Sequence, residues 1–322
     1  MTLRELAKLA NVSVSTVSKA FSGSDEISED TRTHIFKTAK EHGCYDKYNK
    51  NRFDKKVIAV ICPEVCSDYY SNYLTVLYKE LEMNNCVMTV GVDNFSDVKK
   101  CELFAYYSGY CNVDGIIVIG SDADLKNTIN IPAVNIGTCH SVKNIDSVSI
   151  DFTDSILCAV KHLKDCGHEK IGFAGEKLTT AKTALFIEAV KRYGLSVKDE
   201  WVLTSEHRFE KAGQEYFESI SRLKEKPTAV FAAYDNIAIG IMKAAKRSGV
   251  RIPEELSVIG VDDIGVARYL DPPLSTVSGK TEAACKIAVD IIMRKLENPY
   301  YQNGSCTISA EFIPRDTVYR LK

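Results

Sequence analysis

Apolar residues among the first 43 positions recur every three or four residues, which is the spacing of one face of a short helix. The letters T-L-R-E at positions 2–5 have the form of a capping box and predict that a first helix begins there. Asn11 stands where a left-handed residue would end this helix. Ser13 can then cap a second helix over residues 14–21.

A third helix is predicted between Ser28, which can cap it, and Gly43, which can end it, with Ile35, Phe36 and Ala39 on its apolar face. Two short helices joined by a tight turn and followed by a third form a helix-turn-helix. The exposed face of the second helix would carry short hydroxyls and one base: Ser13, Val14, Ser15, Thr16, Ser18 and Lys19. Such a face suits the DNA groove better than a protein core. The alternative is a small three-helix cap with a purely structural role.

Beyond residue 56 the pattern changes to near-continuous apolar runs separated by helical patterns. The runs lie at 57–63, 86–92, 113–120, 132–137, 170–175, 228–233 and 256–263. Strands of this kind alternating with helices predict an α/β core of parallel sheets covered on both faces. A length of roughly 265 residues is large for one such sheet, so we expect two similar lobes.

These patterns divide the chain into three parts. We expect a helix-turn-helix head over 1–43, an exposed basic linker over 44–56 and an α/β core over 57–322. Within the core, lobe one should take about 57–150 plus 279–310, and lobe two about 151–278 plus 311–322.

Charge changes the picture only when it is counted for each part. The formal net charge of the whole chain is -2, which by itself suggests no nucleic-acid partner. The first 56 residues carry 11 Lys and Arg against 8 Asp and Glu, so the head and linker are basic and the core is acidic. The chain contains no apolar run of about 18 residues and no secretory signal pattern, which predicts a cytoplasmic protein without a membrane partner.

The head contains TLRELAKLANVSVSTVSKAFSG and ISEDTRTHIFKTAKEHG, with the motif V-S-x-x-T-V-S-(R/K) at residues 12–19. In these residues it resembles the lactose/galactose repressor (LacI/GalR) family. The resemblance implies base reading by Val14, Ser15 and Lys19. It also implies phosphate contacts from Ser13, Thr16 and Ser18, to which we add Thr2 at the start of the first helix. The implied protein is a homodimeric regulator that binds a pseudo-palindromic, double-stranded DNA operator.

The linker departs from that family, in which a hinge helix places a leucine in the minor groove. Asp46 replaces the usual proline and Lys50 a small alanine, while Phe53 replaces the leucine and could still act as an apolar wedge. A disordered arm that holds phosphates through Lys47, Lys50 and Arg52 is an equal alternative.

The resemblance continues through the core, in VDGIIVIG, LKDCGHEKIGFAG, the long run from PTAVFAAYDN to DPPLSTV, and EFIPRDTV. It implies two Rossmann-like lobes resembling periplasmic sugar-binding proteins, with a ligand cleft between them. His168, within CGHEK, is interpreted as structural.

Ligands of open α/β sheets bind beyond the carboxyl ends of the strands. The residues that follow the predicted strands are Glu64, Asp93, Ser121, Gly137, Glu176, Tyr234, Asp235, Asp262 and Asp263. The resemblance assigns the effector to Tyr69, Tyr70, Lys182, Phe209, Tyr234, Asp235 and Asp262, and we add Glu64 from the strand ends. Two alternatives remain open: the tyrosine pair at 69–70 could cover the lobe edge, and Asp235 and Asp263 could cap helices.

No catalytic, cofactor or metal motif appears in the sequence. The 11 cysteines include no C-x-x-C, and we expect reduced thiols that pack as small hydrophobes, as at Cys62 and Cys86. The 6 histidines have no metal or triad spacing, and no phosphate-binding loop is present. The sequence therefore favours a regulator whose DNA binding responds to a small molecule, a sugar or sugar derivative. A sugar-binding protein without a DNA role is the alternative, and an enzyme on the same fold lacks a catalytic constellation.

Overall fold

The computed structural model describes residues 1–22, 24, 26–48, 55–111, 113–120, 125, 131–138, 145–298, 300–301 and 304–321. The chain forms two compact units, Met1–Lys56 and Val57–Lys322. Among the described residues, no helix is both long and apolar enough to cross a membrane.

The first unit contains the three predicted helices: α1 (Leu3–Leu9), α2 (Val14–Phe21) and α3 (Glu29–Glu41). Each is capped as the sequence predicts. Glu5 and Thr2 exchange the hydrogen bonds of a capping box, and the Ser13 hydroxyl accepts the Thr16 amide at 3.0 Å. Asn11 is left-handed, with φ of 51°, so α2 turns back against α1. A small core fills the space between the helices, centred on Leu6, Val17 and Ile35.

The exposed linker predicted over 44–56 is wrong for its first five residues. A fourth short helix, α4 (Tyr45–Tyr48), packs on the head, and Cys44 before it is buried. The Tyr45 ring lies 5.1 Å from that of Phe36 and 5.8 Å from that of Phe21. The polar composition of this segment does not show that it has an apolar face. A single helical turn brings Tyr45 and Tyr48 to the same side.

Lobe one of the second unit is built on a six-stranded sheet. Its strands are β1 (Lys56–Cys62), β2 (Cys86–Val92), β3 (Gly115–Ile119), β4 (Ala133–Gly137), β5 (Asp146–Asp151) and β11 (Ser305–Ser309), in the order β11-β5-β4-β3-β1-β2. The pairs from β1 to β3, β4, β5 and β11 are parallel. The helices are α5 (Asp68–Met83), α6 (Asp97–Gly109) and α11 (Thr281–Glu297). The α5 and α11 helices pack together on one face, and α6 covers the other with Phe104 and Tyr107.

Lobe two is built on a four-stranded parallel sheet in the order β7-β6-β8-β9. Its elements are α7 (Thr153–Asp165), β6 (Ile171–Glu176), α8 (Thr180–Arg192), β7 (Val202–Ser205), α9 (Phe209–Ser221), β8 (Ala229–Ala232), α10 (Asp235–Arg247) and β9 (Ser257–Ile259). Phe173 on β6 packs against Phe186 of α8, while the neighbouring Gly172 faces Tyr216 of α9. The helices therefore cover both faces, as predicted for this class of sheet.

The chain crosses between the lobes three times. It leaves the larger sheet after Asp151 and enters α7, and it returns to lobe one after β10 (Thr276–Ser278). It leaves again after β11 for β12 (Glu311–Ile313), which pairs antiparallel with β10. All seven predicted strands are present. The short or polar ones, such as β5 and β7, carry too few consecutive apolar residues to be found by hydropathy.

His168 is buried at the entrance to lobe two, consistent with its interpretation as structural. One ring nitrogen lies 2.9 Å from the Thr228 hydroxyl. The other lies 2.9 Å from the Tyr319 carbonyl oxygen and 3.1 Å from the Ser257 hydroxyl. Burial lowers the pKa of His168 because the charged ring would lose its hydration. The ring therefore joins three segments as a neutral side chain.

The lowered pKa predicts how the stability of the protein depends on pH. Below about pH 6.5 the unfolded chain protonates this histidine while the folded protein resists, so the free energy of unfolding should fall as the pH falls. Denaturant titrations between pH 8 and pH 5.5 should show a shallower decline for His168→Gln than for the wild type. An equal decline in the two proteins would contradict the assignment, whatever the stability of the variant at pH 8.

Candidate functional site

The α2 outer face (Ser13, Val14, Ser15, Thr16, Ser18 and Lys19) is the candidate DNA-reading surface of the head. Val14 is 41% exposed on this face. Val17 and Ala20, on the opposite side of α2, are buried. The Lys19 ammonium forms an ion pair with Glu26, and this hydrogen bond lowers the pKa of the Glu26 carboxyl. Both partners are exposed, so DNA could replace Glu26 at small cost.

The candidate phosphate contacts of the head differ in what they already bind. The hydroxyls of Thr2 and Ser13 accept main-chain amides at the starts of α1 and α2. The Ser13 and Thr16 hydroxyls lie 2.8 Å apart, and Ser18 is exposed on the same helix. The Lys47 ammonium donates to the Met1 carbonyl oxygen at 3.1 Å. Lys50, Arg52 and Phe53 lie outside the described residues.

A cavity of about 230 Å³ lies between the two lobes of the second unit. Seven of the eight predicted effector residues line it: Glu64, Tyr69, Tyr70, Lys182, Phe209, Tyr234 and Asp262. Two further residues from the strand ends, Gly137 and Glu176, line it as well. Ser121 lies outside the described residues. The strand-end rule therefore places most of its candidates around one space.

Asp235 is a correction to the predicted effector site. Its side chain is fully buried away from the cavity and accepts the Thr276 hydroxyl at 2.6 Å and the Ile264 amide at 2.9 Å. Burial raises its pKa well above the usual range, and the nearby Asp262 charge adds to the effect. Asp235 therefore joins the start of α10 to β10 and to the segment that follows β9. Asp93 and Asp263 also lie outside the cavity lining, and Asp263 pairs with Arg315 at 2.5 Å.

Arg208 is the residue that sequence reasoning missed. Its two terminal nitrogens donate to the two oxygens of Glu64, each at 2.8 Å, so the pair joins lobe two to lobe one. The guanidinium also lies 5.0 Å from the centre of the Phe95 ring and 4.5 Å from that of Phe209. A signal existed, since Arg208 directly precedes Phe209. The strand before it, β7, is too polar to be recognised, and its end was therefore not searched.

The pairing of Glu64 with Arg208 controls the ionisation of both groups. Hydrogen bonds from Arg208 lower the pKa of Glu64 against the opposing effect of burial. The same bonds raise the pKa of Arg208. Both side chains therefore stay charged at neutral pH. A second link between the lobes lies nearby, where the Asn236 amide donates to Asp68 at 3.0 Å.

Lys182 and Asp262 form a second ion pair at the cavity wall, with nitrogen and oxygen 3.2 Å apart. Lys182 also donates to the Ala233 carbonyl oxygen at 2.9 Å. Burial raises the pKa of Asp262, and the neighbouring lysine opposes that rise. The backbone of Asp262 is left-handed, with φ of 106°, which is strained for a residue other than glycine. The surrounding structure maintains this conformation, which places the carboxylate at the cavity wall.

Aromatic rings form much of the remaining lining. The ring centres of Tyr69 and Tyr70 are 5.0 Å apart, and that of Phe95 lies 5.9 Å from that of Tyr70. On the other lobe, Tyr234 stands at the N-cap of α10 but accepts no amide of that helix with its side chain. Its hydroxyl instead accepts the Phe209 amide at 2.9 Å. Burial raises the pKa of Tyr234 to about 12. Carboxylates beside aromatic faces suit a ligand that carries hydroxyls on an apolar ring.

Comparison with known proteins agrees with both halves of this description. Residues 2–45 match the profile of the bacterial regulatory proteins of the lacI family, and residues 160–318 match that of the periplasmic binding protein-like domain. The HTH-type transcriptional repressor CytR of Escherichia coli K12 is 27% identical over 332 residues, which cover 99% of this chain and 97% of CytR. The chain belongs to the lacI family. This lacI-family protein is a DNA-binding regulator with a helical head and a two-lobed α/β core.

Two solved structures share the fold of this lacI-family chain. The lac repressor dimer bound to operator and the anti-inducer ONPF has a TM-score of 0.73 at 19% identity, covering 99% of both chains. A LacI-family regulator from Enterococcus faecium with bound ribose has a TM-score of 0.71 at 21% identity, covering 83% of this chain and all of the other. Within the described residues, no group of three or more His, Cys, Asp or Glu side chains could hold a metal ion.

Proposed function

We propose that this lacI-family protein is a cytoplasmic, homodimeric repressor whose operator affinity is set by a sugar or sugar derivative in the cavity between its lobes. One observation carries the proposal. A head of the family's DNA-binding type and a ligand-sized, polar and aromatic cavity occur in the same chain. A small molecule that prefers one arrangement of the lobes would then be coupled to DNA binding, because each ligand changes the affinity of the other by the same factor.

The α2 outer face supports the DNA half of the proposal. Val14, Ser15 and Lys19 would read base edges, while Thr2, Ser13, Thr16 and Ser18 would hold phosphates. Lysine can donate to guanine, and valine can contact a thymine methyl group. Two such heads in a dimer would read the two halves of a pseudo-palindromic operator. The basic segment with Lys47, Lys50 and Arg52 would add phosphate contacts.

The proposed homodimer is supported by the surface of lobe one and by the dimeric lac repressor of the same fold. The α5 and α11 helices lie side by side, and α5 exposes Tyr78 and Met83. We expect the partner to cover residues 70–84 and 286–298. A symmetric interface on this lobe would leave the cavity free to open and close.

The alternative is a sugar-binding protein of the same fold without a DNA role. Selection of genomic fragments on the full-length protein separates the two. We expect enrichment of a pseudo-palindrome and a logarithm of affinity that falls steeply with the logarithm of salt concentration. Stabilisation by a sugar without enrichment of any sequence would favour the alternative.

Asp262 provides a direct test of the cavity. Thermal and denaturant unfolding should be measured with ribose, cellobiose and nucleosides. A compound that binds only the folded protein should raise the free energy of unfolding by about 2.7 kcal/mol at 100 times its Kd. Asp262→Asn should remove that gain, because it removes a carboxylate acceptor from the cavity wall. Asp316→Asn, which changes an exposed carboxylate outside the cavity, should keep it; an equal gain in the wild type and Asp262→Asn would place the ligand elsewhere.

A further inference from the structure

More acidic than basic side chains line the cavity. Among the described residues that line it, three are carboxylates (Glu64, Glu176 and Asp262) and two are cations (Lys182 and Arg208). The lining therefore has a formal charge of about -1 before any ligand enters. A cavity with that balance does not attract an anion.

Both cations already bind carboxylates of the protein, although the Arg208 Nε has no hydrogen-bond partner among the described residues. The two terminal nitrogens of Arg208 bind Glu64 at 2.8 Å, and its Nε lies 3.7 Å from Glu176. Lys182 donates to the Ala233 carbonyl oxygen and to Asp262. The guanidinium also lies near the rings of Phe95 and Phe209, which belong to opposite lobes. The pair of terminal nitrogens, which can bind a phosphate in a bidentate manner, is therefore occupied by Glu64.

We propose that Glu64 determines the ligand class of this cavity by occupying Arg208, so that the site takes uncharged, hydroxyl-rich molecules and excludes phosphorylated ones. The inference rests on the proposed function only in treating this cavity as the effector site. For a phosphate to reach Arg208, the Glu64 carboxylate would have to leave. Glu64 is 9% exposed, so a displaced carboxylate would stay buried beside the incoming anion. A buried carboxylate that loses its charged partner in this way is strongly destabilised.

The acceptors that remain agree with this ligand class. One oxygen of Asp262 accepts from Lys182, and its other oxygen has no hydrogen bond to another described residue. Glu176 uses one oxygen for the Leu178 amide, which leaves the second facing Arg208 at 3.7 Å. Carboxylate oxygens accept hydrogen bonds from hydroxyls and repel phosphate. The site therefore offers acceptors to a ligand rich in donors.

Inorganic phosphate is a suitable probe, because it tests Arg208 without knowledge of the effector. Unfolding of the full-length wild type, Glu64→Gln, Arg208→Met and the Glu64→Gln/Arg208→Met double variant should be followed with increasing phosphate at constant ionic strength. Phosphate also stabilises proteins by exclusion from their surfaces. Binding at Arg208 is therefore measured as the phosphate-induced rise in the midpoint of unfolding that Arg208→Met abolishes. We expect no Arg208-dependent rise in the wild type. In Glu64→Gln we expect a saturable rise in the midpoint of unfolding that the double variant loses.

Each outcome of these measurements either supports or overturns the proposed role of Glu64. An Arg208-dependent, saturable effect of phosphate on the wild type would overturn the proposal, as would its absence from folded Glu64→Gln. If Glu64→Gln does not fold, the comparison of the wild type with Arg208→Met still shows whether phosphate reaches Arg208 in the wild type. D-ribose and D-ribose 5-phosphate add a second arm, in which stabilisation of the wild type by the phosphorylated sugar through Arg208 would also overturn it. If the wild type selects no operator sequence while the phosphate results are as expected here, the repressor function would be wrong and the role of Glu64 would stand.

Discussion

Lys19→Ala is expected to weaken the binding of the full-length protein to its selected operator by about 1–3 kcal/mol, which is roughly 5- to 150-fold. Lys19 is the one base of the α2 outer face, and its ion pair with Glu26 keeps the ammonium on the exposed side of the helix. On DNA the ammonium would exchange this exposed partner for a base edge. Exposed ion pairs contribute about 0–1 kcal/mol, so breaking the pair of Lys19 with Glu26 offsets little of the binding free energy that Lys19 gains on DNA.

The measurement is a competition between the selected operator and a sequence with its half-sites scrambled, over a range of salt. Lys8→Ala is the matched control, since it removes the same charge from an exposed position on α1. It should weaken binding to both sequences alike, whereas Lys19→Ala should weaken the operator more. Equal losses on the two sequences for Lys19→Ala would show that Lys19 does not read bases.

Gly240→Ala is expected to destabilise the core by about 3 kcal/mol or more, because α9 and α10 touch through their backbones. A Cβ on Gly240 would lie 2.1 Å from the Glu210 carbonyl oxygen, and one on Gly213 would lie 2.0 Å from that of Ile237. Neither neighbour is the end of a flexible side chain, so a methyl group has to push the helices apart. Arg208 and Phe209 stand at the start of α9, and the effect should reach the cavity.

Denaturant titration of the wild type, Gly240→Ala and Gly109→Ala gives the comparison. Gly109 ends α6, and a Cβ there meets nothing within 4 Å. Alanine at that position should therefore be neutral or stabilise by about 0.5–1 kcal/mol through the higher helix propensity of alanine. A Gly240→Ala protein within about 1 kcal/mol of the wild type would mean that α9 and α10 can separate without cost.

Local patterns were sufficient for the head. Thr2, Ser13 and Ser28 cap the three helices as predicted, because capping depends only on residues within three positions along the chain. The same logic failed at Cys44 and Tyr45, where charged neighbours suggested a linker. Cys44 is buried in the core of the head, and the Tyr45 ring contacts Phe21 of α2 and Phe36 of α3.

In the core, the sequence alone determined the parallel strands and the clustering of polar residues at their ends. Near-continuous apolar runs are visible without a structure, and parallel strands align their carboxyl ends at one edge. This placed Glu64, Glu176 and Asp262 correctly around one cavity. The polar residues at the edge of a parallel sheet can therefore largely be predicted from the residues that directly follow each strand.

Only the tertiary structure decided which of these groups face each other. Asp235 and Asp262 have the same local setting after a strand, yet Asp235 turns to Thr276 while Asp262 meets Lys182 at the cavity wall. Glu64 and Arg208 lie 144 positions apart and become partners because the two lobes close on each other. Hydrogen bonds and ion pairs act over a few ångströms, so their partners depend on the packing of distant segments and not on residue type.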